Sequence, residues 1–194
     1  MATSTIIYYL DEYWDKIADP RVNDFPLIGG GIWKILTIMG SYLVLAKILL
    51  PKYMSDKKPF ELRTVMLVYN FIMVAANLFA FYWAIKSIDY GRIFLDFKFP
   101  SRDDHSPMTM WYLYLGWWFW MSRFIDLFDT LFLVLRKKDN QISVLHLYHH
   151  TVVPILCWVS FKYNAMIPII RMFVVINSFI HGQLCQLLLE NEIT

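Results

Sequence analysis

Three of the five histidines in this 194-residue chain, His146, His149 and His150, fall within five residues as HLYHH. On a helix the spacing i, i+3, i+4 sets their imidazoles on one stripe. One histidine among apolar residues is ordinary packing, whereas three on a single apolar helix face point to chemistry. Pro154, four residues after His150, lacks the N–H that would bond the His150 carbonyl, so a bend is expected there. Upstream, Arg123, Asp126 and Asp129 recur every three residues and are followed by Thr130. They share one broad helical face, either as an ion pair that ties helices together or as part of a site, with two carboxylates against one guanidinium. Downstream, Asn177 and His181 are one helical turn apart, where an amide can fix the tautomer of an imidazole.

Histidine clusters serve two chemistries. A diiron oxidation site built from imidazoles needs more ligands than this chain offers, because His105 lies in a polar loop and only four histidines remain. No metal is therefore expected. The other chemistry is metal-free acyl transfer, in which a neutral imidazole attacks a thioester or removes a proton near it. Burial favours the neutral ring, and neighbouring imidazoles push the same way because two adjacent charges are costly. A proton path along the histidine row, as in a transporter, is the remaining alternative.

The elements that hold these residues are apolar. The chain is 58% hydrophobic and 18% aromatic with a mean hydropathy of +0.43, too apolar for a typical soluble domain. A formal net charge of only +2 gives no field that would draw it to nucleic acid. A spanning helix needs roughly 20 mostly apolar residues, and five segments meet that length, 26–50, 64–85, 107–135, 144–161 and 168–189. Repeats and low-complexity linkers are absent, so an all-α bundle of five transmembrane helices in one domain over residues 1–194 is expected. Neither Cys157 nor Cys185 has CxxC spacing, and both are expected as reduced, packed thiols. The first residues do not read as a cleavable signal peptide.

Lys and Arg mark the cytosolic loops. Lys52, Lys57, Lys58 and Arg63 crowd one connection, and Arg136, Lys137 and Lys138 crowd another. The first 25 residues instead carry five acidic side chains against Lys16 and Arg21, so an outer or lumenal N-terminus and a cytosolic C-terminus are expected. At about 1.5 Å per residue, Asp129, His149 and His181 would then lie roughly 8 to 14 Å below the cytosolic ends of their spans. Basic loops above an apolar bundle suit an amphiphile with a phosphorylated head and a long tail, and acyl-CoA is the obvious candidate.

RFIDLFDT, from Arg123 to Thr130, is similar to the KxxExxDT signature of the fatty acid elongase (ELO) family. HLYHH resembles that family's HxxHH box, and NSFIH from Asn177 to His181 resembles the start of its NxxxHxxMY box. DPRV at Asp19, KPFELR at Lys58, VYNF at Val68 and LRKK at Leu135 look like insect-type members. Leu184 and Cys185 stand where the family has Met-Tyr. The resemblance implies a seven-helix endoplasmic reticulum enzyme that condenses malonyl-CoA with a long acyl-CoA and holds no bound cofactor. It implies attack by His149 on the acyl thioester, a role for His181 in accepting or positioning malonyl, and support from His146 and His150. Arg123, Asp126, Asp129 and Thr130 would orient the histidines and the CoA end. Asn177 would steady His181, and Arg136, Lys137 and Lys138 would meet the CoA phosphates. Since ENEIT ends the chain just past the fifth expected span, a C-terminally truncated member is expected. The alternative is an inactive partner that forms homo- or heterodimers with other elongases in the lipid bilayer.

Overall fold

A computed structural model describes residues 2–92, 100–164 and 168–193, with side chains for these except residues 2–4, 164, 168–169 and 184–193. In chain order its helices are α1 (Ala2–Leu10), α2 (Glu12–Ile17), α3 (Trp33–Val44), α4 (Leu50–Met54), α5 (Arg63–Ser87), α6 (Pro107–Ile125), α7 (Leu127–Leu135), α8 (Val144–Asn164) and α9 (Pro168–Ile193). The described regular structure is all helical, as expected. Two compact units divide the chain, one from Met1–Phe60 with Arg102–Ala165, the other from Glu61–Ser101 with Met166–Thr194.

Among the described residues three helical rods, where five were expected, are long and apolar enough to cross a membrane by length and composition: Trp33–Met54, Arg63–Ser87 and Val144–Tyr163. They make the chain a multi-pass membrane protein. Only 22% of the most apolar stretch of each is buried, so most of their apolar side chains face outward, as lipid-facing surfaces must. The expectation of five spans is thereby corrected to three among the described residues. The 107–135 segment is two helices, because the chain tightens at Asp126 and Asp129 N–H bonds the carbonyl only three residues back. Of the two, α6 mixes Arg123 with many Trp and Tyr, and α7 has only nine residues. The 168–189 segment lies on the long helix α9 (Pro168–Ile193), whose described side chains are those of residues 170–183.

In the first unit, α3 and α4 join through a π-helical turn at Leu45–Leu49, where the Leu50 N–H bonds the Leu45 carbonyl five residues back. Pro51, which has no N–H to give, follows at once, and the wider turn accommodates the missing donor. Helix α6 starts on Ser106 and Pro107. Ser106 Oγ accepts from Thr109 N–H at 3.4 Å, and Asp104 accepts from Ser106 N–H at 2.9 Å and from the Thr109 hydroxyl at 2.7 Å. Helices α6 and α7 run antiparallel to α8. Gly116 lies so close to Phe161 that a Cβ there would sit 2.9 Å from the ring, Trp120 Nε1 donates to the Pro154 carbonyl at 2.9 Å, and Thr130 meets His146. Helix α8 continues through Pro154 to Asn164.

The far end of α8 is closed by the N-terminal segment. Lys162, fully buried, donates to Asp15 at 2.6 Å and to the carbonyls of Gly30 and Ile28 at 2.9 and 3.1 Å. Trp158 Nε1 donates to the Leu27 carbonyl at 3.0 Å. Asp19 and Arg21 form a buried pair at 2.7 Å beside them.

In the second unit α5 and α9 pack as an antiparallel pair. Arg171 Nη1 donates to the Ser87 carbonyl at 2.8 Å, Phe81 and Phe179 meet with centroids 5.9 Å apart, and Gly182 faces Asn77. The buried stripe of α5, Met66, Asn70, Met73, Asn77 and Ala84, has the spacing of one helix face.

Candidate active site

Ser143 starts α8. Its Oγ accepts from His146 N–H at 3.0 Å and its carbonyl from Leu147 N–H, so the histidine row begins in the first turn. The stripe expected from the spacing forms. The His146 and His150 rings are 4.3 Å apart between centroids, and those of His149 and His150 are 5.5 Å apart. His150 is buried, while His146 and His149 are half-buried.

Helix α7 supplies the next contact. Thr130, with no exposed surface, places Oγ1 2.8 Å from His146 Nε2. Its other neighbour is the Tyr42 hydroxyl of α3, at 2.6 Å, a residue the motif analysis missed. The available signal was periodicity: Ile35, Met39, Tyr42 and Ala46 form the buried stripe of the first rod, and a buried phenol needs a polar partner.

Arg123 and Asp126, each 3% exposed, pair at 2.9 Å around the joint between α6 and α7. Ser122 Oγ accepts from Arg123 Nη2 at 2.9 Å, and the guanidinium carbon lies 4.5 Å from the Phe119 ring centroid. The guanidinium therefore has acceptors in Asp126 and Ser122 and an aromatic face in Phe119. Asp129 is half-buried on α7.

The basic residues Arg136, Lys137 and Lys138 terminate α7. Lys138 N–H bonds the Leu133 carbonyl and Lys137 N–H that of Val134, with Lys137 at φ 55°, the pattern of a Schellman cap. The cap is tied to the other basic turn: Phe60 N–H bonds the Leu135 carbonyl at 3.0 Å, and Lys137 Nζ donates to the Ser55 carbonyl at 3.2 Å. Between them lies a cavity of about 150 Å³ lined by Pro51, Met54, Ser55, Val134, Lys137 and Asp139.

The structure thus brings together His146, His149 and His150, joins Thr130 to His146, and pairs Arg123 with Asp126. Asn177 and His181 are buried one turn apart on α9, in the second unit. Cys157 is a free, partly buried thiol, and the side chain of Cys185 lies outside the described residues.

Residues 28–184 match the ELO family, described as the GNS1/SUR4 family. A very long chain fatty acid elongase of Aedes aegypti is 34% identical over 182 residues, covering 91% of this chain and 49% of that protein. Very long chain fatty acid elongase 7 of Rattus norvegicus is 37% identical, over 84% of this chain and 57% of its own length. Very long chain fatty acid elongase 1 of Homo sapiens is 34% identical, over 76% and 52%. The chain spans about half the length of these relatives.

Proposed function

We propose that this chain, which belongs to the ELO (GNS1/SUR4) family, carries out the condensing step of fatty acid elongation by way of an acyl-histidine, acting as one ELO-type domain. His149 attacks the carbonyl carbon of a long-chain acyl-CoA, the carbon–sulfur bond breaks, and CoA leaves as the thiol. The acyl-imidazole then meets malonyl-CoA. Loss of CO2 from malonyl leaves an enolate that attacks the acyl carbonyl and expels the imidazole, giving a 3-oxoacyl-CoA two carbons longer. His181, beside Asn177, helps to accept or position the malonyl group.

The observation that carries this reading is the histidine row itself. His146 is committed to a hydrogen bond with Thr130, His150 is buried, and His149 is half-buried between them in sequence on a helix that begins beside the basic turns. Arg123, Asp126, Asp129 and Thr130 set the positions of the row. Arg136, Lys137 and Lys138 meet the CoA phosphates, a role supported by the bonds that gather both basic turns at one end of the first unit. That end faces the cytosol, and the Lys162 clasp faces the lumen of the endoplasmic reticulum.

Membranes containing the chain, supplied with radiolabelled malonyl-CoA and a series of saturated acyl-CoAs, should yield 3-oxo products, and His149→Ala should reduce them to background. Incorporation that survives His149→Ala unchanged refutes the assignment.

A further inference from the structure

The geometry points to Tyr42 as a positioning residue that, through Thr130, fixes His146 as the Nδ1–H tautomer with Nε2 as an acceptor. Tyr42, Thr130 and His146 form a chain of two hydrogen bonds, 2.6 and 2.8 Å long, inside one compact unit. Among the described residues neither the Tyr42 hydroxyl nor Thr130 Oγ1 has a further partner. Each hydroxyl carries one hydrogen, so the direction of the chain follows from donor accounting.

If Tyr42 donates to Thr130 and Thr130 donates to Nε2, both hydroxyl hydrogens are used. If Nε2–H donates to Thr130 and Thr130 donates to Tyr42, the phenolic hydrogen of a side chain only 6% exposed is left without an acceptor. If both neighbours donate to Thr130, its own hydrogen is orphaned at a site with no exposed surface. An unmade bond of this kind biases the choice by roughly tenfold or more. Only the first direction leaves neither buried hydroxyl hydrogen unmet.

A threonine on a helix ordinarily has another outlet, because its hydroxyl can turn back onto a carbonyl three or four residues earlier. Tyr42 closes that outlet by holding Oγ1 toward α3. The π turn at Leu45–Leu49 begins three residues after Tyr42, so the register of the first rod changes just beyond the residue that anchors the chain. The consequence for catalysis rests on the condensing-enzyme reading: with Nε2 of His146 engaged, attack on the thioester falls to His149. The tautomer itself does not rest on it.

Site-resolved carbethoxylation by diethyl pyrocarbonate, which requires an imidazole lone pair, tests this in detergent-solubilised full chain without any acyl-CoA. His105, exposed in its loop, serves as the internal standard. Relative to wild type, Tyr42→Phe should speed modification of His146 roughly three- to tenfold, about one net hydrogen bond. Thr130→Val should speed it at least as much, and Thr130→Ser should restore the wild-type rate. A His146 rate that stays within about twofold of wild type in Tyr42→Phe overturns the assignment. So does a 15N spectrum of histidine-labelled wild-type protein that shows Nε2–H at His146, a measurement that needs no variant to fold. A chain that modifies as expected yet fails to extend any acyl-CoA would refute the condensing reading and leave the Tyr42 assignment standing.

Discussion

Arg123 and Asp126 are almost fully buried and meet across three residues of one chain. A pair of this kind contributes little beyond an apolar replacement, but removing one member strands the other charge. Arg123→Ala should therefore destabilise the protein by about 3 to 5 kcal/mol, while the double variant Arg123→Met, Asp126→Leu should cost much less. Denaturant unfolding in detergent, followed by circular dichroism, separates the two outcomes. The candidate site residues stand out in the sequence because their spacing is local: HLYHH and RFIDLFDT each read as one helix face. Tyr42 does not, since its partner Thr130 lies 88 residues away and no local pattern links them.

Two helix ends are fixed by specific local contacts. Lys137 occupies the left-handed position that ends α7, where a side chain costs about 1 kcal/mol and glycine costs little. Lys137→Gly should raise the melting temperature while raising the KM for acyl-CoA if the CoA phosphates engage this turn, and paired melting and kinetic measurements would show the opposing effects. At the start of α6, the Thr109 hydroxyl and the Ser106 N–H hold the Asp104 carboxyl below its ordinary value. A carboxyl lowered in the folded state adds stability above its unfolded value of about 4 and loses it as pH falls through the lowered one. Hydrogen exchange at the first turn of α6 should accordingly quicken in that acid window, and Asp104→Ala should show the fast exchange already at neutral pH. The start of α8 was legible from the apolar run that begins at Val144. The joint within 107–135 was not, because an apolar window averages over Asp126, where the helix tightens.

At the scale of the whole molecule, the apolar rods follow from composition, but their number does not. Hydropathy placed five long segments, and among the described residues three rods satisfy length and composition together. The fourth expected segment ended at Phe161, whereas α8 runs on to Asn164 and the Lys162 ammonium is buried against three acceptors from the N-terminal segment. Lys162→Met should release that segment, and limited trypsin digestion should cut faster after Lys16 and Arg21 than in the wild type. The central claim, that His149 carries the acyl chain, is tested most directly by mass spectrometry of the protein after incubation with a long-chain acyl-CoA alone. The account predicts an acyl adduct on the peptide bearing His149, absent from His149→Ala and discharged when malonyl-CoA is added. An adduct on Cys157 or on any other residue, with His149 unmodified, would contradict it.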